Sequence, residues 1–416
     1  MPRRQPAILF IFITLFLDVF GFGLVIPIIP KLVQQLQHGN EAQAAGVVAW
    51  LLSLFALMQF IFSPVLGSLS DHFGRRPVIL TSLFGSGIDY LLLAWAPTLP
   101  WLFVGRIISG ITASNFSAAG AYIADVTPPE KRAAGFGMIG AAFGLGFIVG
   151  PAAGGLLANY GLRVPFLVSA GVTLLNWLYG ALVLPESLSK ENRRPFTWAS
   201  AHPIEALTTL RTWPVVAGLA GALFLVNVAH NIYPSLWVLY TSARYGWSTT
   251  EVSLSLALVG LVTAVVQAGL AGKILGLIGE RAGMFAGLLV MVLAMCGYGL
   301  SPAGWMIYVI IVAGAVNGIS NPAAQAIISQ AVPANQQGAI QGALNSIASI
   351  ASIIAPHIWS GIFSWSIAPG KRFIPGLSFL VAGGVTLGAV GLVWRTFRLE
   401  KIAGAAAPPI ENPPSS

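Results

Sequence analysis

The chain has 416 residues, of which 56% are hydrophobic and only 8% charged, and its mean hydropathy is +0.81. A water-soluble core could not hide that much apolar surface, whereas a bilayer accommodates it, so the composition excludes an ordinary soluble enzyme or binding module. The net charge of +8 does not indicate a nucleic-acid partner, because the 21 Lys and Arg residues are scattered between apolar runs; the single cysteine, Cys296, excludes an intramolecular disulfide.

The start, Met1-Pro-Arg3-Arg4 before an apolar run, imitates a signal peptide. The run continues to about Pro30 with no small-residue cleavage site after it, so it reads as an uncleaved first span. Runs long enough to cross ~30 Å of hydrocarbon, about 20 residues each, fall near 7–30, 46–66, 77–96, 99–124, 134–158 and 164–184. A second set falls near 214–240, 250–275, 283–300, 303–330, 339–363 and 375–396. The expected fold is an all-α membrane protein with twelve transmembrane helices in two six-helix bundles, 1–184 and 214–396. The stretch 185–213 carries Glu186, Lys190, Glu191, Arg193, Arg194, Glu205 and Arg211 and reads as a cytoplasmic linker. Residues 397–416 form a cytoplasmic tail, Pro- and Ala-rich after Lys401 and expected to lack fixed structure.

Orientation follows from the basic residues. With both termini inside, fifteen Lys and Arg fall on the inner side and five on the outer, and Arg106 lies within a span. The positive-inside rule therefore puts the termini and the linker in the cytoplasm. A shift of 205 residues lays Gly67 on Gly272, Gly74 on Gly279, Arg76 on Arg281, Pro128 on Pro333, Gly137 on Gly342 and Pro151 on Pro356. One offset across separate loops and helices predicts two parallel repeats with a substrate site between them.

Three ionisable side chains sit deep in predicted spans: Asp18, Asp89 and Arg106. A charge at mid-bilayer costs about 2.5–3.5 kcal/mol on insertion scales, so it normally faces a cavity or a partner. Asp18 is followed by Gly21, Gly23, Pro27 and Pro30, which let its helix bend and line a cavity. A proton or substrate role and a structural ion pair, Arg106 with Asp89 or with Asp18, both fit this pattern. Between the second and third spans, Gly67-Ser-Leu-Ser-Asp71-His-Phe-Gly74-Arg75-Arg76-Pro77 sets an acid and two arginines in a Gly-bounded turn.

The fifth span carries Gly137, Gly146, Gly150, Pro151, Gly154 and Gly155. Gly146, Gly150 and Gly154 are four apart and form one bare stripe for close helix approach, and Pro151 should kink the helix. In the seventh span Asn227, His230 and Asn231 precede Tyr233-Pro234, reading as a half-unwound polar patch at the cavity; a hydrogen-bonded packing role also fits. Asn317, Asn321, Gln325 and Asn345 offer uncharged contacts in the later spans, as Gln59 does in the second. Gly135-Phe-Gly137-Met-Ile-Gly140 matches a dinucleotide fingerprint but lacks the βαβ context. The five histidines are dispersed, and neither a nucleophile–base constellation nor a nucleotide-binding loop is visible, so no metal, cofactor or enzyme activity is expected.

The Gly67–Pro77 turn resembles the loop between the second and third helices of major facilitator transporters. The fifth-span glycines are similar to the motif that marks proton-coupled antiporters of that superfamily. Within it the chain resembles the bacterial tetracycline exporters, over nearly its whole length. The matches include Asp18-Val-Phe-Gly-Phe-Gly-Leu-Val-Ile-Pro, Ala56-Leu-Met-Gln59, Asp89-Tyr-Leu-Leu-Leu-Ala, Gly105-Arg106-Ile-Ile-Ser-Gly110, Ile123-Ala-Asp125, Trp237-Val-Leu-Tyr-Thr and Gln337-Gly338-Ala-Ile-Gln341-Gly342. The resemblance implies that Asp71 anchors the cytoplasmic face by pairing near Gly338 and that Arg106 and the buried acids take part in proton coupling. It implies gating by Gly67, Asp71, Gly74, Arg75, Arg76 and the fifth-span motif.

At the positions of the family's eighth-span histidine and ninth-span aspartate this chain has Thr263 and Met291, which leaves coupling to Asp18 and Asp89. The implied function is proton-coupled efflux of a drug-like molecule, with a tetracycline as the leading substrate. Another drug or metabolite carrier of the same fold, exporter or proton symporter, is the alternative. The implied setting is a bacterial inner membrane, multi-pass, with a small-molecule substrate, protons and the bilayer as partners and a monomer as the working unit.

Overall fold

A chain inside hydrocarbon must satisfy its backbone polar groups internally, and long apolar runs therefore become helices. The computed structural model describes residues 4–113, 115–127, 132–193, 196, 210–333 and 336–406, and all regular structure among them is helical. Ten helical stretches are long and apolar enough to cross a membrane, and two shorter apolar helices, Leu99–Thr112 and Thr249–Val265, stand at the fourth and eighth positions. These are the twelve expected spans.

Local chemistry sets their ends and their breaks. The second span, Glu41–Phe73, begins on a capping box in which the Asn40 side chain accepts from the Gln43 amide at 3.0 Å and the Gln43 side chain accepts from the Asn40 amide at 3.1 Å. Ser248 and Glu251 start the eighth span the same way. The fourth span divides into Leu99–Thr112 and Asn115–Val126, where Thr112 Oγ1 turns back to the Ile108 carbonyl at 2.9 Å. The seventh divides at Asn231, because Pro234 has no N–H for the His230 carbonyl. The tenth tightens to a 3₁₀ turn at Ala315–Ile319, just before Pro322.

Two expectations change. The eighth span is not continuous, since a π-helical turn, Val266–Leu270, lies between Thr249–Val265 and Ala271–Ile278. The twelfth helix, Leu377–Ala406, runs past position 396 into the expected tail, through an Ala-rich segment of high helix propensity. Residues 407–416 lie outside the described residues, as do 194–195 and 197–209 of the linker.

The first span packs against the fifth and sixth, the second against the fourth, and the third against the fourth and sixth. In the second half the twelfth span lies against the seventh and ninth, and the ninth against the tenth. Across the halves the fifth span (Arg132–Ala158) meets the eighth, and the second meets the eleventh (Gln337–Ser366) and the seventh.

The repeat is visible in the backbone. Gly74 (φ 109°, ψ 163°) and Gly279 (φ 78°, ψ 162°) each cap a helix in a conformation that favours glycine. Each donates its amide four residues back, Gly74 to Ser70 at 3.1 Å and Gly279 to Leu275 at 2.8 Å. Pro151 and Pro356 both lie inside long helices. Pro128 lies outside the described residues.

Candidate functional site

The deepest charges form one pair. Arg106 Nη2 donates to Asp89 Oδ2 at 3.0 Å, with the two residues 7% and 1% exposed. Gly105 permits the approach, since a Cβ there would stand 2.6 Å from Asp89 Oδ1. The Arg106 guanidinium also lies 5.9 Å from the Phe55 ring centre in the second span. Sequence spacing left Asp18 and Asp89 as equal partners for Arg106; the geometry selects Asp89. Asp18 is half-buried on the first span and, with Asp89 and Arg106, is one of the charges around Tyr90.

The Gly67–Pro77 turn is tied to its own half. Arg75 pairs with Asp71, and its Nε reaches Asp125 Oδ2 at 3.1 Å. Glu186, at the start of the linker, accepts the backbone amides of Arg75 at 2.9 Å and Arg76 at 3.3 Å, placing a carboxylate at the third helix's N-terminus. Arg76 Nη2 donates to the Ala181 carbonyl at 2.7 Å. At Gly74 the positive φ and the adjoining Glu186 carboxylate both exclude a side chain. Gly67 has open space beside it. The contact implied between Asp71 and the start of the eleventh helix falls at Gly338, whose surroundings lie outside the described residues.

The fifth-span glycines serve two neighbours. A Cβ at Gly146 would stand 2.8 Å from Val19 Cβ, and one at Gly150 would stand 2.8 Å from Gly23 Cα. Gly154 abuts the Leu24 backbone, so the whole stripe packs on the first span of the same half. Gly155, about 100° further round the helix, abuts Ser253 of the eighth span instead. Pro151 lies buried beside Gly23. Gly137 is helical, and its surroundings lie outside the described residues.

The halves close on one side. On the side opposite the linker, Lys31 Nζ donates to Ser242 Oγ at 2.6 Å, Ser53 Oγ to the Ile353 carbonyl at 2.6 Å and Ser364 Oγ to the Ala42 carbonyl at 2.7 Å. Trp50 and His357 meet edge-on at 4.5 Å in the same layer. The fifth and eighth spans stay together to mid-depth, where Gly260 adjoins Ile148. Towards the linker side Gly140 and Gly272 have open space where a Cβ would stand. Among the described residues the halves are latched on the far side.

In the second half, Asn227 and Asn231 spend amide donors on the helix break, to the Leu223 and Asn227 carbonyls, both at 2.8 Å. Asn231 also reaches Ser352 at 3.3 Å, and Trp359 Nε1 caps the Val228 carbonyl at 2.8 Å. The packing role for these amides is therefore realised. His230 is exposed and lies edge-on to Tyr233 at 5.2 Å. Asn317 donates to the Gly314 carbonyl at 2.6 Å within the 3₁₀ turn.

Gln325 lines a cavity of about 370 Å³ between the linker-side ends of the eighth and tenth spans, with Gln267, Gly272, Asn321 and Pro322. Gln59 lies at the contact of the second and fourth spans, where its backbone adjoins Gly110. Thr263 is half-buried and Met291 is buried in the core. Asp18, Asp89 and Arg106 thus gather in one half, while the uncharged candidates other than Gln59 lie in the other. The far-side latches and the cavity residue Gln267 escaped the sequence reading, because a serine or glutamine in an apolar span gives no sign of what it faces.

The sequence of residues 11–356 matches the family model described as Major Facilitator Superfamily. The chain is 39% identical to the tetracycline resistance protein, class C, of Escherichia coli over 386 residues, covering 92% of this chain and 96% of that protein. It is 36% identical to the class G protein of Vibrio anguillarum, over 87% of this chain and 91% of that one. Among solved structures, that of the human organic anion transporter MFSD10 (TETRAN) aligns with a TM-score of 0.70 at 23% identity, over 94% of this chain and all of that one. An inward-facing, occupied bacterial homologue of the human lysosomal transporter Spinster aligns with a TM-score of 0.74 at 16% identity, over 96% and 97% of the two chains.

Proposed function

This chain belongs to the major facilitator superfamily, and from that premise we propose that it is a proton-coupled exporter of drug-like molecules, with a tetracycline as its leading substrate. The single observation that carries the direction and substrate class is the 39% identity to a tetracycline resistance protein across 92% of the chain. Asp18, Asp89 and Arg106 serve the proton, and the cavity between the linker-side ends of the eighth and tenth spans serves the drug. The latched far side and the open space beside Gly140 and Gly272 towards the linker side support a resting state open to the cytoplasm, which an exporter needs to load.

The test is accumulation of tetracycline and a panel of other drugs in everted membrane vesicles under an imposed proton gradient. Uptake that collapses with a protonophore is the expected result. No uptake of any panel drug by protein present in the membrane would sink the drug-export reading, and protonophore-insensitive uptake would sink the coupling. One observation favours an uncharged drug other than a tetracycline: Gln267, Asn321 and Gln325 line the second-half cavity, and Thr263 and Met291 stand where the tetracycline exporters resemble each other in carrying ionisable groups. The panel separates the two.

The working unit is a monomer in a bacterial inner membrane, with bundles 1–184 and 214–396, a cytoplasmic linker 185–213 and cytoplasmic termini. Fifteen of the 21 Lys and Arg on one side support that orientation. In a Cys296→Ser background, cysteines placed at His38 or Lys371 should label from outside intact cells, and one at Arg193 only after permeabilisation. Labelling of Arg193→Cys in intact cells would reverse the orientation.

A further inference from the structure

Seven buried polar atoms of the first half have no hydrogen-bond partner among the described residues, and four of them lie deep in its spans: Thr14 Oγ1, Asp89 Oδ1, Thr173 Oγ1 and Asn176 Oδ1. These four residues are at most 2% exposed. Three of them line one contact. Asn176 Nδ2 donates to the Thr14 carbonyl at 3.0 Å, and Ser169 Oγ donates to the Gly21 carbonyl at 2.9 Å. Ser169, Thr173 and Asn176 are spaced four and three apart on the sixth span, so they share one face. Thr14, Asp18 and Gly21 share the facing surface of the first span for the same reason.

Tyr90 of the third span closes this seam. A Cβ at Gly21 would stand 3.3 Å from Thr173 Oγ1 and 3.7 Å from Tyr90 Cε2, so hydroxyl and ring meet over that glycine. Tyr90 adjoins Asp89 in sequence, and the charges around it are Asp18, Asp89 and Arg106. The seam therefore runs from the half-buried Asp18 to Tyr90, lined by hydroxyls and an amide, and Asp89 lies one residue and about 100° round the third helix, facing Gly105 and Arg106 of the fourth span. Buried polar atoms that lack a protein partner are satisfied by ordered water, and a row of them inside a membrane bundle is the chemistry of a proton relay.

We propose that this seam between the first, third and sixth spans is a buried water site that passes the proton between Asp18 and Asp89. Thr14, Tyr90, Thr173 and Asn176 are its positioning residues. The Asp18 carboxyl releases its proton to a bound water or hydroxyl, which hands a different proton on to the Asp89 carboxylate. One O–H bond breaks and one forms at each relay atom, and only the two carboxylates change state. Protonation of Asp89 loosens its pairing with Arg106. The proposal rests on the proton-coupled reading above.

The test uses Tyr90→Phe and Thr173→Val, each of which removes a hydroxyl with little change of shape, and Thr173→Ser, which keeps it. The Tyr90→Phe/Thr173→Val double variant should lower gradient-driven uptake in everted vesicles by about tenfold or more, while exchange of labelled for unlabelled drug stays within about twofold of the parent. Thr173→Ser should pump as the parent does. Parallel loss of pumping and exchange, or normal pumping by the double variant, overturns the seam. Asp18→Asn separates the two readings. If it pumps uphill the coupling assignment itself has failed; if it does not, while the double variant pumps normally, the seam alone is wrong.

Discussion

Asp89→Asn is expected to abolish uphill efflux and to destabilise the protein by about 3–5 kcal/mol, because it leaves the Arg106 charge buried without a counter-charge. Asp89 Oδ2 accepts from Arg106 at 3.0 Å, and the acid is 1% exposed, so solvent cannot replace it. Asp89→Asn combined with Arg106→Gln removes both charges and leaves two hydrogen-bonding amides of similar size. That double variant should regain most of the stability and none of the pumping. Thermal unfolding in detergent reads the first quantity and vesicle uptake the second. Normal pumping by Asp89→Asn would reduce the pair to packing; failure of the double variant to recover stability would mean that the single variant's loss was not due to an unpaired charge.

The second large effect separates two neighbouring glycines. Gly150→Ala puts a Cβ 2.8 Å from both Gly23 Cα and the Phe20 carbonyl oxygen, which are backbone atoms with no rotamer to yield. Overpacking of this kind costs about 1–3 kcal/mol, and here it falls on the first half itself, so stability and transport should drop together. Gly155→Ala instead meets Ser253 across the halves. The bundle should remain as stable as the parent, while the closed far side loses about 1–3 kcal/mol relative to the open one, a shift of roughly 5- to 150-fold in their ratio. A cysteine at Ala49, buried one turn from the Ser53 latch, in a Cys296→Ser background, reports that shift as faster labelling from outside. If Gly150→Ala and Gly155→Ala lower thermal stability equally, the two faces of the fifth helix do not have separate duties.

The span count and the Gly67–Pro77 turn were legible because hydrocarbon thickness and glycine-bounded charge leave direct marks on sequence. The stripe of Gly146, Gly150 and Gly154 was legible from its spacing of four. Gly155 was not, since one further residue turns the helix by about 100° towards another neighbour, and only the fold says which. The break in the seventh span was announced by Pro234, but the π turn at Val266–Leu270 has no proline and no residue signature. Arg106 could reach either acid by sequence logic, and the glycine that admits Asp89, Gly105, reveals its purpose only once the third and fourth helices are set side by side. Glu186 looked like one of several linker charges; its place at the start of the third helix depends on where the sixth helix ends.

Two of the three far-side latches run from a serine hydroxyl to a main-chain carbonyl, Ser53 to Ile353 and Ser364 to Ala42. Any amino acid at positions 42 and 353 supplies the same kind of acceptor, so the side chains that mutation can delete from these fastenings are the two serines. Half of each latch is therefore heritable without being encoded by any particular codon. Drift in the lipid-facing residues of the second and eleventh helices leaves it in place, and an inhibitor that competes for those two carbonyls would face a target with few routes of mutational escape.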